Sequence, residues 1–155
     1  MGKNRKVTLR VSGLYLLPPS ARRAGRIRSV CRRILHRGTG AAGEVNIVFL
    51  DRARMRTLNR RYLDRSHDTD VIAFAYTEDA GPRPGERPFG DIFISAYQAR
   101  VQAAALGHDV LVEVLTLAAH GALHLLGYDD ATPRGRDRMF RMQTAALRPL
   151  PRRRK

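Results

Sequence analysis

Residues 120 to 130 read His-Gly-Ala-Leu-His-Leu-Leu-Gly-Tyr-Asp-Asp, and the reading of this stretch decides the rest of the chain. Before it runs Val110 to Ala119, with only Glu113 and Thr116 polar, which reads as a helix that is apolar on nearly every side and therefore buried. Asp109 suits the N-cap and Gly127 the position just past the C-terminus, so the spacing predicts a helix over roughly Val110 to Leu126. His120 and His124, four apart, then share one face, with Cβ atoms about 5–6 Å apart, within reach of a single metal ion. Gly127 accepts a left-handed turn that brings Asp130 back as a third ligand. Three protein ligands with a fourth position open is the layout of a catalytic metal site.

Two histidines four apart on a helix are most often surface or satisfied core residues. On an apolar helix that alternative weakens, because buried imidazoles need partners. The pattern His-x3-His-x2-Gly-x2-Asp is similar to the ligand spacing of metzincin peptidases, but Gly121 stands where those enzymes carry their catalytic Glu. A peptidase is therefore disfavoured: the group that activates water for amide hydrolysis is missing.

A chain of 155 residues is long enough for one domain with its own core. We expect a single metal-dependent hydrolase domain over residues 1–148 and a disordered basic tail over 149–155. One cysteine, Cys31, excludes a disulfide framework and any multi-cysteine zinc module, and its place in an apolar stripe marks it as a small core residue. No apolar run reaches signal-peptide or membrane-spanning length, so a soluble cytoplasmic protein is expected. The formal net charge of +15, mostly arginine, implies a polyanionic partner, most simply nucleic acid. The competing explanation is an arginine-rich composition without functional meaning.

In chain order, Val7 to Val11 alternates as a half-buried strand. Ser20 is expected to cap a helix running to about Arg37, stopped by Gly38, with Ala24, Ile27, Cys31, Ile34 and Leu35 inward and Arg22, Arg23, Arg26, Arg32, Arg33 and Arg37 outward, either solvated or on phosphate. Glu44 to Leu50 reads as a strand. Asp51 caps a helix to about Tyr62, with Met55, Leu58 and Tyr62 inward. Val71 to Tyr76 is a strand, 77–89 an exposed loop rich in Gly and Pro, and Asp91 to Ala96 another strand. A helix over Ala96 to Leu106 ends at Gly107. Thr132 caps a last helix, with Pro133 at its first position, that runs to about Leu147 with Met139, Met142 and Ala146 inward. Some strand connections are too short for a crossover helix. An α+β domain with a mixed sheet of about four strands follows, the ligand helix being its most buried one.

These residues resemble the bacterial YbeY family of metal-dependent endoribonucleases. His120-Gly121-x-Leu123-His124-Leu125-x-Gly127-Tyr128-Asp129 looks like its signature, and Leu58-Asn59-x-x-Tyr62, Thr69-Asp70-Val71-Ile72-x-Phe74 and Gly90-Asp91-Ile92-x-Ile94-Ser95 stand in the family's order. The likeness covers roughly residues 44 to 142. It implies a zinc-dependent, single-strand-specific endoribonuclease of ribosomal RNA maturation, cytoplasmic and associated with the small ribosomal subunit. The implied ligands of one zinc ion per chain are His120, His124 and the residue at 130, with other divalent metals as substitutes. Three departures stand out. The family's third His is Asp130, a harder ligand that relaxes metal preference. The family's Arg after the Tyr is Leu63, which points to Arg65 as its substitute. Ser66 and Asp68 replace the Asp and Pro usual before the Thr-Asp pair.

RNA cleavage needs a nucleophile and neutralisation of phosphate charge. The ion can acidify a water, whose pKa falls from about 15.7 to about 7 in the best cases, or act on a phosphate oxygen as a Lewis acid; the residues do not choose. Arg65 would stabilise the phosphorane charge. Asp70 is a candidate base or ligand-orienting group, or a turn residue before its strand. Glu113, which sits where many family members carry Glu, is a candidate support behind the ligands or a structural hydrogen-bonding group. Thr69 and Tyr128 are candidates for the same support or for RNA contact. Three other classes remain: a metal hydrolase of another substrate such as a peptide, a non-catalytic RNA- or ribosome-binding assembly factor with a structural metal, and a non-haem iron enzyme with two His and one carboxylate.

Overall fold

The computed structural model describes residues 7–39, 43–76 and 89–148. Its sheet is built on the alternation of β2 (Glu44–Leu50), in which Val45, Ile47 and Phe49 are buried and their neighbours half-buried. β1 (Thr8–Ser12) and β4 (Phe89–Ser95) flank it in parallel, and β3 (Val71–Tyr76) closes the β4 edge antiparallel, giving the order β1-β2-β4-β3. Parallel neighbours need crossovers and an antiparallel pair does not, so the sheet is mixed. The fold is α+β, with the four strands expected.

The helices are α1 (Ala24–Thr39), α2 (Arg52–Leu63), α3 (Ala96–Leu106), α4 (Val110–Leu125) and α5 (Pro133–Leu147). Ile47, Phe49, Ile92 and Ile94 point to one face, where they join Ile27, Cys31, Val114, Ala118, Ala122 and Leu123 in one apolar core. The other face carries Phe93 and Phe74, and Tyr62 from α2 sets its ring edge on Phe74 at 5.4 Å. Cys31 is fully buried; its thiol donates to the Ala118 carbonyl, and burial pushes its pKa up to about 12, leaving an inert packing residue. Among the described residues no single helix is long and apolar enough to cross a membrane.

Several boundaries differ from those expected. Ser20 caps no long helix: Pro19–Ala21 forms a short 3-10 turn, Arg22 leaves helical geometry, and α1 begins at Ala24. Proline fixes its own φ and supplies no N–H, which favours such a turn. α1 also continues through Gly38 to Thr39. β4 starts at Phe89, because the backbone there still pairs with Tyr76. Asp109 occupies the N-cap of α4 but its side chain makes no cap bond. Tyr62, expected inward, is 58% exposed. The inward position on that turn is Asn59, 1% exposed, whose Nδ2 donates to the His67 carbonyl and whose own carbonyl accepts from the Asp64 and Arg65 amides. A buried amide must be hydrogen-bonded, and here it ties the following loop to the helix. Segments 77–88 and 149–155, read above as an exposed loop and a basic tail, lie outside the described residues.

The arginine face of α1 is not uniform. Arg22 donates to the Leu17 and Tyr15 carbonyls. Arg33 turns inward and donates to the Ala146 and Arg148 carbonyls, where α5 leaves its last acceptors unpaired. Arg23, Arg26 and Arg32 remain exposed, and the side chain of Arg37 lies outside the described residues.

Candidate metal centre

α4 lies against the sheet so closely that it tolerates no side chain at 121. A Cβ built there would stand 2.5 Å from Ile92 Cγ2 and 3.2 Å from Val71 Cγ2. The glycine that replaces the peptidase Glu therefore faces packed β4, and a carboxylate at 121 would point into the core. His120 and His124 stay half-buried on the neighbouring side of the helix.

The end of α4 then folds back. Gly127, at φ 92, takes the left-handed conformation; its N–H donates to the His124 carbonyl and that of Tyr128 to the Leu123 carbonyl, a Schellman ending. This turn brings the Tyr128 carbonyl onto His124 Nδ1 at 3.0 Å. A carbonyl only accepts, so the proton of a neutral His124 sits on Nδ1 and the Nε2 lone pair is free. On the other ring, His120 Nδ1 donates to Gln143 Oε1 of α5. The two Nε2 atoms then face each other at 2.9 Å, with Asp130 Oδ2 3.5 Å from His120 Nε2. All three donor atoms lie within 4.8 Å of one another.

Two lone pairs and a carboxylate aimed at one point repel unless a positive charge lies between them. A proton is a weak occupant: burial, and then the neighbouring His120, push the His124 pKa below the ordinary 6.5, against the opposing pull of Asp130. Two imidazole nitrogens and one carboxylate oxygen, with both rings oriented from behind, suit a divalent transition metal such as zinc. The residues present therefore fit a bound ion.

Asp130 is carried by a fixed turn. Asp129 Oδ1 accepts from the Ala131 amide at 2.6 Å and Thr132 Oγ1 caps α5 at the Gly135 amide. Gln143 is the residue that sequence reasoning missed: it is 23 positions from His120, and no local pattern joins them. Gln143→Leu should leave the fold intact and lower metal affinity by about 10- to 100-fold, the usual cost of losing a group that orients a ligand. Equilibrium competition with a chromogenic chelator measures it; unchanged affinity would show that the His120 ring needs no partner.

The other candidates are distributed differently. Asp70 hydrogen-bonds the Val71 amide and Gln102 Nε2, while its carbonyl accepts from Ser95. These bonds fix the start of β3, where Val71 meets Gly121, and none reaches the three donor atoms. Glu113 is buried and pairs with His108 at 2.7 Å, two helical turns before His120, which is a structural hydrogen bond. Thr69 is half-buried beside Asp70. Arg65 is exposed, and its side chain makes no hydrogen bond or ion pair among the described residues. Its neighbours differ: Arg52 and Arg56 both grip Asp68, pulling its carboxyl below the usual range, and Arg54 pairs with Asp51.

An α+β domain with a helical His-x3-His pair and a returning carboxylate defines a metallohydrolase-like protein. A family model described as Endoribonuclease YbeY matches residues 21–151. This chain belongs to the YbeY family. Endoribonuclease YbeY of Elusimicrobium minutum is 46% identical over 99 residues, covering 63% of this chain and 67% of that one. Its counterpart from Geobacillus kaustophilus is 42% identical over 110 residues, covering 67% and 70%. The solution structure of a Thermotoga maritima protein superposes with a TM-score of 0.58 over 90% of this chain and 86% of that one; at 22% identity it supports the fold alone.

Proposed function

We propose that this protein is a metal-dependent endoribonuclease that cleaves single-stranded RNA in ribosomal RNA maturation. One zinc ion is held by His120, His124 and Asp130, and the protein works in the cytoplasm at the small ribosomal subunit. The observation that carries the metal-dependent reading is the pair of Nε2 lone pairs facing each other at 2.9 Å beside a carboxylate. The relatives' names supply the reaction class, and the net charge of +15 suits a phosphate substrate.

An ion held by His120, His124 and Asp130 would supply positive charge for acidifying a water or for polarising a phosphate oxygen. The chain supplies the rest. Tyr128 and Gln143 hold both ligand rings in one tautomer. Gly121 sets α4 on the sheet. Asn59 holds the loop that carries Arg65, whose guanidinium has no partner among the described residues, and we assign it to the developing phosphorane charge. Asp70 is a positioning residue that acts through Val71.

The test is cleavage of a single-stranded RNA and of its duplex, with and without chelator. Chelator-sensitive cutting of the single strand is expected; equal cutting of the duplex, or none of either with zinc, manganese or nickel, would favour a binding-only assembly factor. Arg65→Ala should lower kcat and kcat/KM together by about 10²–10³ at unchanged metal content. A rise in KM alone would make Arg65 a binding residue, and wild-type rates beside a large loss in Arg61→Ala would move the role to Arg61.

A further inference from the structure

Behind the metal centre lies a cavity of about 260 Å³ between α1, α5 and the turn after α4. Ile34, Leu126 and Met142 form an apolar floor. Tyr128 walls one side, with the Arg138 guanidinium 5.0 Å from its ring centroid, and Arg141 stands on the rim. Arg33 lines it as well, with a buried Nε–H that has no acceptor among the described residues. Among the described residues no acidic side chain lines it.

The cavity and the metal centre share their partition. Tyr128 orients His124 through its carbonyl and walls the cavity with its side chain; Gln143 orients His120 while its neighbour Met142 floors the cavity. Both contacts meet the ligand rings at Nδ1, so an occupant lies behind the rings, on the side away from the facing Nε2 atoms. It must offer a flat apolar face to the floor and the Tyr128–Arg138 stack, and negative charge to Arg138 and Arg141. Basic segments of this chain, such as 152–155, have the wrong sign. A nucleotide has both features: bases stack on aromatic rings and guanidinium planes, and phosphates pair with arginine. The volume is below the usual range for drug-sized ligands, about 300–1,000 Å³, and suits one base.

We propose that this cavity binds one nucleotide of the RNA substrate, on the far side of the ligand rings from the scissile phosphate, with its base on the apolar floor and its phosphate on Arg138 and Arg141. The proposal rests on the endoribonuclease reading for its substrate, but its test does not require cleavage.

The experiment titrates zinc-loaded, methyl-labelled protein with AMP, and separately with inorganic phosphate at equal ionic strength, following Met142 and Ala145 by NMR. AMP should shift both methyls saturably and phosphate should not. Ala145→Leu, at an exposed position on the cavity wall, should abolish the Met142 shift and raise KM for a single-stranded RNA about tenfold at unchanged kcat and metal content, a modest value for a lost stacking contact. Arg138→Ala should weaken AMP binding with the helix content retained. Unmoved methyls, equal shifts with phosphate, or Met142 shifts that persist in Ala145→Leu would each overturn the proposal. AMP binding here without RNA cleavage would sink the endoribonuclease reading alone; cleavage with unmoved methyls would sink the cavity proposal alone.

Discussion

Gly121→Val should destabilise the protein by about 3 kcal/mol, a typical to high cost for overpacking a filled core. The new Cβ would stand 2.5 Å from Ile92 Cγ2. That methyl branches from a fully buried residue on the central strand β4, so it cannot swing into solvent. Val71 Cγ2 at 3.2 Å closes the other escape. Helix propensity works the other way. Alanine is about 1 kcal/mol better than glycine in a helix interior, so Gly121→Ala should lose less than Gly121→Val. For a chain of this size the valine variant should melt about 6–12 °C lower. A thermal scan under matched metal loading decides it. An unchanged or higher melting temperature would show that α4 does not press on the sheet as described. By the same contact, Gly121→Glu should lose structure before it gains a base.

Replacing His120 or His124 with Ala should remove nearly all bound metal and lower RNA cleavage by at least about 10³, since several kcal/mol of charge stabilisation go with the ion and each 1.36 kcal/mol is tenfold. The loss has a structural signature. In His124→Ala the Tyr128 carbonyl loses its donor, while the Schellman ending of α4 stays. Asp130 separates a ligand from a turn residue. Asp130→Asn keeps the size and removes the charge, and should weaken binding strongly. Asp130→His should keep one ion per chain and sharpen zinc preference, because imidazole is the softer ligand. Full occupancy in the His120→Ala, His124→Ala and Asp130→Asn variants would refute the ligand set. Retained cleavage without metal would refute the mechanism.

The parts of this account that were legible in the sequence are local. His120, His124, Gly127 and Asp130 fall within eleven residues, so helical spacing and one left-handed glycine bring them together without knowledge of the fold. The strand alternation of Glu44–Leu50 and the capping Asp51, Ser95 and Thr132 are equally short-range, and Asp51 and Thr132 were read correctly as caps. The groups that hold the site are not local. Gln143 reaches His120 because α5 packs on α4, and α5 is held in turn by Arg33, 113 residues from the Ala146 carbonyl it grips. Arg33 read as part of a solvated or RNA-facing stripe because nothing nearby marks it as inward. Tyr62 and Asn59 exchanged roles for a similar reason. Hydrophobicity argues for burying the aromatic, but the loop after α2 needs a buried hydrogen-bonding group more than the core needs a ring.

The most direct test is a titration of chelator-stripped protein with zinc, followed by cleavage of a single-stranded RNA and by bound metal in the same samples. The account predicts that cleavage is absent without metal, rises in proportion to bound ion and levels off at one equivalent per chain. Cleavage at full rate in the stripped protein, or one tightly bound ion with no RNA cleavage, would contradict it.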